Sequence, residues 1–317
     1  MSLSLDVAFD QLFIGKNGIS NEGKIGRLLE EENFQEIPIF GSSKARSAFI
    51  PDSLNPNCYN YGMEKCGFDV VNFLLEIELQ KPKQSPIIIE YNHRSFISQP
   101  EHTVNASSFI PNLHHNQVVE FLKETNRMST RFYIPGLRYF GSYTYYLRYY
   151  IKADAGVNKR INKGGNFSNF ILEADVFENM VSHRLKLVAR RDELLQNIES
   201  VSQVISTQER HELDFLNSYL NFTYDSSLVS NFSQLVSSTP RQIILVHTPN
   251  HYSEEAGIAN KDEMKAFYNA LADKHNNIMV IDLSGMLLLD SDYKNSTHLN
   301  ITGAQAFSEA LKRKLKW

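Results

Sequence analysis

A three-layer α/β/α fold around a mostly parallel sheet is predicted by two features of the chain. Four short, unbroken apolar runs occupy residues 36–41, 86–91, 241–248 and 278–283, and helical patterns lie between them. Runs of that length rich in Ile and Val suit parallel strands buried on both faces. Alternating strands and helices then give right-handed crossovers with helices on both sides of the sheet. A third observation bounds the class: no window holds 18 consecutive apolar residues, so nothing spans a membrane as a helix.

The elements follow in order. Residues 1–34 read as an N-terminal extension, and 35–317 as one α/β domain. The strand at 36–41 closes on Gly41-Ser42-Ser43, and helical periodicity covers 66–81. The second run, 86–91, ends at Asn92, and a helix is expected at 112–126. Residues 127–220 are surplus to a minimal fold of this kind and read as a large, mainly helical insertion. Gly164-Gly165-Asn166 marks a turn within it. Over 176–220, Phe177, Val181, Leu185, Val188, Leu195, Ile198, Val201 and Ile205 form one apolar stripe, and Leu213, Leu216 and Leu220 a second. That spacing predicts one or two long helices forming a cap or an extra packing layer. Helices at 226–237, 260–275 and 302–315 complete the pattern.

Bulk composition excludes several functions. The chain of 317 residues is 42% hydrophobic and 21% charged, with a net charge of −4. A nucleic-acid binder is expected to be basic, so no nucleic-acid partner is predicted. Two cysteines, Cys58 and Cys66, are too few for a disulfide framework. They read as two buried thiols, with one local bridge as the alternative. Charge is uneven, however. Residues 127–163 hold eight Lys or Arg against Asp154, an excess of +7, with seven tyrosines among them. This segment reads either as packing with Arg and Lys stems along its rim, or as a surface for an anionic glycan or membrane surface. Arg138 and Arg148 are its candidate substrate contacts.

Residues suited to chemistry sit at strand ends, where sheets of this type collect their ligands. Ser43 follows the first strand in a Gly-x-Ser turn, and His298 lies in a loop just before the terminal helix. Serine needs a neighbouring base to accept its proton, and a loop His can supply that base. Ser42-Ser43 also reads as a helix cap. His247 ends the third run and is a candidate substrate contact, while His93 reads as a surface or loop histidine. Pro249 breaks the His247-x-x-x-His251 spacing, and His114-His115 lacks a carboxylate at ligand spacing, so no metal is expected.

Four motifs resemble the SGNH (GDSL-type) hydrolase superfamily, particularly its bacterial envelope and polysaccharide-associated members. They are Gly41-Ser42-Ser43, Asn60-Tyr61-Gly62, Glu90-Tyr91-Asn92 and Asn295-Ser296-Thr297-His298. The likeness covers the first ninety and last eighty residues. It implies Ser43 as nucleophile, His298 as base, and Ser43, Gly62 and Asn92 as oxyanion donors. Ser42 replaces the usual Asp of the first motif, and Asn295 stands where the family usually has the Asp that orients the histidine. Asp292 is the alternative acid. The implied activity is removal of an acyl group, an O-acetyl ester, from a carbohydrate, with no cofactor. O-acyl transfer to a surface polysaccharide and a non-catalytic envelope or glycan-binding role with a degenerate site are the alternatives. The same resemblance implies an extracytoplasmic location, with residues 1–34 as the stub after an anchor.

Overall fold

The computed structural model describes residues 21–97, 104, 106–134, 137–138, 159–168, 174–200, 206–252, 254, 258 and 260–317. In chain order the elements are α1 (Asn21–Glu30), β1 (Ile37–Phe40), α2 (Ser43–Ala48), α3 (Pro51–Leu54), β2 (Cys58–Asn60), α4 (Phe68–Leu79) and β3 (Ile87–Tyr91). A 3-10 segment (Ala106–Asn112) and α5 (Asn116–Glu124) follow. Next come the hairpin β4 (Lys159–Asn162) and β5 (Gly165–Ser168) and the long helices α6 (Ala174–Ser200) and α7 (Thr207–Leu220). The chain ends with α8 (Ser226–Ser237), β6 (Ile243–His247), α9 (Lys261–Lys274), β7 (Ile278–Asp282), β8 (Tyr293–Asn295), β9 (His298–Leu299) and α10 (Ile301–Leu315).

The central sheet runs β2-β1-β3-β6-β7 and is parallel throughout. The four apolar runs supply four of its strands. The fifth, β2, was not anticipated, because three residues are too few to show a run. Side-chain alternation divides the core into two layers. Ile87, Ile89, Tyr91, Ile243 and Leu245 pack against α1, α4, α8 and α9. Ile88, Ile244 and Val246 face the other way, against α2 and α10. This is a three-layer α/β arrangement with helical insertions. Among the described residues no helix is long and apolar enough to cross a membrane.

Several expectations change. Residues 21–30, expected within the N-terminal extension, form α1, whose Ile25 and Leu28 are fully buried in the core. The insertion, expected to be mainly helical, also carries a hairpin. β4 and β5 pair with Asn162 opposite Gly165, and the turn uses positive φ at Lys163 (38°) and Gly164 (84°), the hand that matches strand twist. A Cβ on Gly164 would lie 2.2 Å from the Asn60 carbonyl oxygen, so close packing on β2 demands glycine there.

The apolar stripe of 176–205 is also resolved differently. Leu194 is fully buried, whereas Leu185, Leu195 and Ile198 are exposed. The buried side of α6 instead carries Val181, Arg184, Arg191 and Leu194. Leu213, Leu216 and Leu220 of α7 do pack inward, against Leu194. The side chain of Phe177, and Val201 and Ile205, lie outside the described residues. Cys58 and Cys66 are both free and belong to opposite faces of the sheet. Burial pushes the Cys58 thiol up to about 12 and that of Cys66 higher still.

Candidate active site

Strands β1, β3 and β6 all point their carboxyl ends at one cleft. Its cavity is about 820 Å³, within the usual range for small-molecule sites. After β1 the chain turns sharply at Gly41, where φ is +145° and a Cβ would stand 2.7 Å from that of Glu90. Ser42 then caps α2, its Oγ accepting from Lys44 N–H at 3.2 Å. Both readings of the Ser-Ser pair therefore meet here: Ser42 is the cap, and Ser43, the first helical residue, opens onto the cleft. As a first-turn residue, Ser43 has a backbone N–H with no partner inside its helix.

His298 reaches Ser43 from the other end of the sequence. Its Nε2 lies 2.8 Å from Ser43 Oγ, and its Nδ1 lies 3.0 Å from Asn295 Oδ1. The short β8–β9 hairpin is closed by that same oxygen, which accepts from Thr297 N–H (3.0 Å), Thr297 Oγ–H (3.0 Å) and His298 N–H (2.9 Å). Backbone N–H groups can donate only to the amide oxygen, so the orientation of Asn295 follows from the network. An oxygen facing Nδ1 requires the proton on Nδ1, shared with Thr297 Oγ1 at 2.9 Å. The lone pair on Nε2 then faces Ser43. Immediately afterwards Asn300 caps α10, accepting from Thr302 and Gly303 N–H, which anchors the histidine loop to the last helix.

Asp292 is turned elsewhere. Its Oδ2 accepts from Leu289 N–H at 2.9 Å, closing a surface turn. Asn295 therefore occupies the place beside the imidazole. Burial, then Lys44, then Lys294 lower the pKa of His298 to about 4. At neutral pH the ring is uncharged and able to accept a proton.

Glu90 was not singled out from sequence for any role, and it organises this end of the sheet. Buried at the end of β3, its Oε2 accepts from Ser42 N–H (3.0 Å) and Ser42 Oγ–H (2.9 Å), and its Oε1 accepts from Asn92 Nδ2–H (2.9 Å). A buried carboxylate from the neighbouring strand thus stands beside Ser42. The sequence signal was a glutamate ending the run Ile87-Ile88-Ile89, where an acid survives burial only if well partnered. Asn92 lines the cleft, its Oδ1 accepting from Arg94 N–H at 2.8 Å. One N–H of its amide is committed to Glu90, leaving the second for a ligand.

Other candidate residues are placed differently. The N–H of Gly62 donates to Asn60 Oδ1 at 2.9 Å, and Gly62 is not among the residues lining the cleft. It therefore offers no donor to an oxyanion, and the oxyanion expectation for it is corrected. His247 is buried at the end of β6, stacked on Tyr91 (5.0 Å) and 3.5 Å from Asp282, and it too does not line the cleft. Its loop reaches the site through Asn250, whose Oδ1 accepts from Lys44 Nζ at 2.5 Å, and through Glu254. Arg138 donates to the Phe132 carbonyl at 3.0 Å and stands outside the cleft lining. Arg148 lies outside the described residues, as does most of the basic segment.

His93, expected at the surface or in a loop, is a buried loop residue that lines the cleft. Arg184 of α6 and Tyr219 of α7 also line it, so the insertion contributes to the site. His251 pairs with Asp290 at 3.2 Å rather than with His247. His114 and His115 meet Glu30 of α1, with one potential ligand atom from each within 4.8 Å of the others. The fold thereby supplies the carboxylate that local spacing lacked, at a position away from the cleft.

The assembled groups are a hydroxyl, a neutral imidazole aimed at it, and an oxygen fixing the tautomer. They stand beside two N–H donors, from Ser43 and Asn92. Such a set can activate the hydroxyl as a nucleophile and receive negative charge on a carbonyl oxygen. No protein-family model matches the chain, and no curated protein matches it either.

Proposed function

We propose that the protein is an SGNH-type serine esterase, with Ser43 as nucleophile, His298 as general base and Asn295 as the group orienting the ring. The observation that carries this reading is the contact between Ser43 Oγ and His298 Nε2 at 2.8 Å, continued by Nδ1 to Asn295 at 3.0 Å. His298 accepts the Ser43 proton as Oγ attacks the acyl carbon, then returns it to the departing alkoxide. The Ser43 N–H and the Asn92 amide receive the oxyanion, each such donor being worth roughly 3 kcal/mol of barrier. A water activated by the same imidazole then hydrolyses the acyl-enzyme. No cofactor enters this cycle.

The substrate we assign is a carboxylic ester of a carbohydrate, an O-acetyl group, because the four motifs resemble family members acting on surface polysaccharides. The same resemblance supports an extracytoplasmic location.

A fluorophosphonate probe tests the core of the proposal. Ser43 in the wild-type chain should be labelled, and Ser43→Ala and His298→Ala should lose the label while remaining folded. An unlabelled, well-folded wild type would instead favour a glycan-binding protein without catalysis.

A further inference from the structure

Four basic side chains converge in the cleft from three separate parts of the chain. Lys44 comes from α2, His93 and Arg94 from the loop after β3, and Arg184 from α6. Tyr219 of α7 is shared by two guanidinium groups, with Arg184 at 4.5 Å and Arg94 at 5.0 Å from its ring centroid. A ring contact of this kind engages the face of a guanidinium and does not itself use its N–H edge.

Two of the four are buried with fewer polar partners than burial usually demands. Arg184 and His93 are each only 4% exposed. None of the N–H groups of Arg184 makes a hydrogen bond to a described residue, and the polar partner of the His93 ring is the Tyr219 backbone. Glu254 offers Arg184 an ion pair at 3.1 Å, but its other oxygen accepts from Ser296. Of the other carboxylates lining the cleft, Glu90 is committed to Ser42 and Asn92 and Asp69 to Arg127, while Glu124 stands at the end of α5. A buried guanidinium with unmade hydrogen bonds is costly. Natural proteins tolerate that most readily where a ligand completes the set. The cations also act on one another: burial and then Lys44, Arg184 and Arg94 hold the His93 pKa well below the usual imidazole range, with the Tyr219 backbone opposing them.

We infer that Arg184, Arg94, His93 and Lys44 form a subsite for a compact oxyanion, a carboxylate or phosphate carried by the same molecule whose ester faces Ser43. A planar guanidinium matches either group with two parallel N–H donors. The ester clause rests on the proposed esterase activity; the anion site itself does not. The substrate class becomes an acidic ester, such as an acylated sugar acid or sugar phosphate. The insertion then acts as a specificity element, since α6 and α7 supply Arg184 and Tyr219.

Binding is tested on the native chain with inorganic phosphate and, separately, glucuronate, by calorimetry and by the His93 ring signals in NMR. Saturable binding of at least one probe is expected, with the His93 pKa rising as the anion arrives. Kd should increase about tenfold or more in Arg94→Gln and in Arg184→Gln, the weight of a charge-assisted bond. Arg94 is partly exposed, so its variant serves if Arg184→Gln fails to fold; Arg184→Lys should restore only part of the affinity. Preference for phosphate or for glucuronate identifies the group recognised.

In a second arm, two acetyl esters differing by one carboxylate are compared. The kcat/KM ratio should favour the acidic ester, and Arg94→Gln should erase the preference. No binding of either anion to the folded native chain overturns the subsite, and so does equal binding by native and variant chains. Failure of the esterase reading has a different signature: neither ester turns over, while anion binding and its dependence on Arg94 persist.

Discussion

The carboxyl edge of the sheet and the α6–α7 hairpin both border the same cleft, yet they are built on opposite terms. Around Ser43 and His298 at the sheet edge, the buried acceptors are heavily partnered within the protein: Glu90 takes three donors and Asn295 Oδ1 takes four. On the hairpin, α6 buries Arg184 and Arg191 while exposing Leu185, Leu195 and Ile198. Arg191 is satisfied by Asp192 and Asn221; Arg184 is not hydrogen-bonded within the described residues. A saturated network fixes side chains in place. An unsaturated one holds binding capacity in reserve. The first kind of region suits chemistry that depends on sub-ångström alignment, and the second suits recognition.

Removing the chemistry should give the largest effect and leave the hairpin untouched. Ser43→Ala and His298→Ala are each expected to lower kcat/KM on an acetyl ester by about 10⁴-fold. Melting temperature should move little, because neither residue carries the core. Retained turnover in either folded variant would place the reaction elsewhere in the molecule.

The packing of α6 offers the next largest effect. Leu194→Ala should cost about 2–5 kcal/mol in urea unfolding, since it opens a cavity against Leu213 and Leu216. Its neighbour Leu195→Ala, 37% exposed, should stay within about 0.5 kcal/mol. Similar losses from the two would mean that the apolar stripe, and not the Arg184 side, faces inward.

That contrast also explains what was legible in the sequence. The strands could be read because Ile and Val runs such as Ile87-Ile88-Ile89 have one sensible fate, burial on both faces. Ser43 and His298 could be read because each sits at a strand or helix boundary with its own turn residues, Gly41 and Asn300. The buried side of α6 could not be read from periodicity. Val181, Leu185 and Val188 define one stripe and Leu187 with Leu194 another, and local spacing does not choose between them. Glu90 was hidden for another reason. Its partners Ser42 and Asn92 lie on different strand ends, and local spacing carries no information about that register. Gly62 differs, because its N–H is taken by Asn60 only two residues earlier, a local contact that residue spacing alone does not reveal.

Glu90 tests how far the saturated network supports activity. Glu90→Gln keeps the shape but replaces an acceptor with a donor facing Ser42 or Asn92. Turnover is expected to fall about 10–100-fold, largely in kcat, as the Ser43 turn and the Asn92 amide lose their common anchor. A drop confined to KM would show that the carboxylate serves substrate binding instead.

The smallest effect is a shift in pH dependence, and it separates Asn295 from Asp292. A protonated His298 cannot accept the Ser43 proton, so activity follows the neutral ring. With its pKa lowered to about 4, kcat/KM should hold down to mildly acidic pH and fall as pH drops through about 4. The unfolded ring titrates near 6.5. Between these values the unfolded chain binds the extra proton, so the fold loses stability as pH decreases from about 6.5 to about 4. Asn295→Asp would set a carboxylate against Nδ1, where three further donors already welcome an oxygen. Opposite charge at that distance favours the imidazolium, and the acid limb should move up by about one pH unit. Asp292→Asn should leave the limb where it is, because its carboxylate is bonded to Leu289 N–H at the surface. If Asp292→Asn moves the limb and Asn295→Asp does not, Asp292 orients the ring during turnover and the β8–β9 hairpin rearranges to admit it.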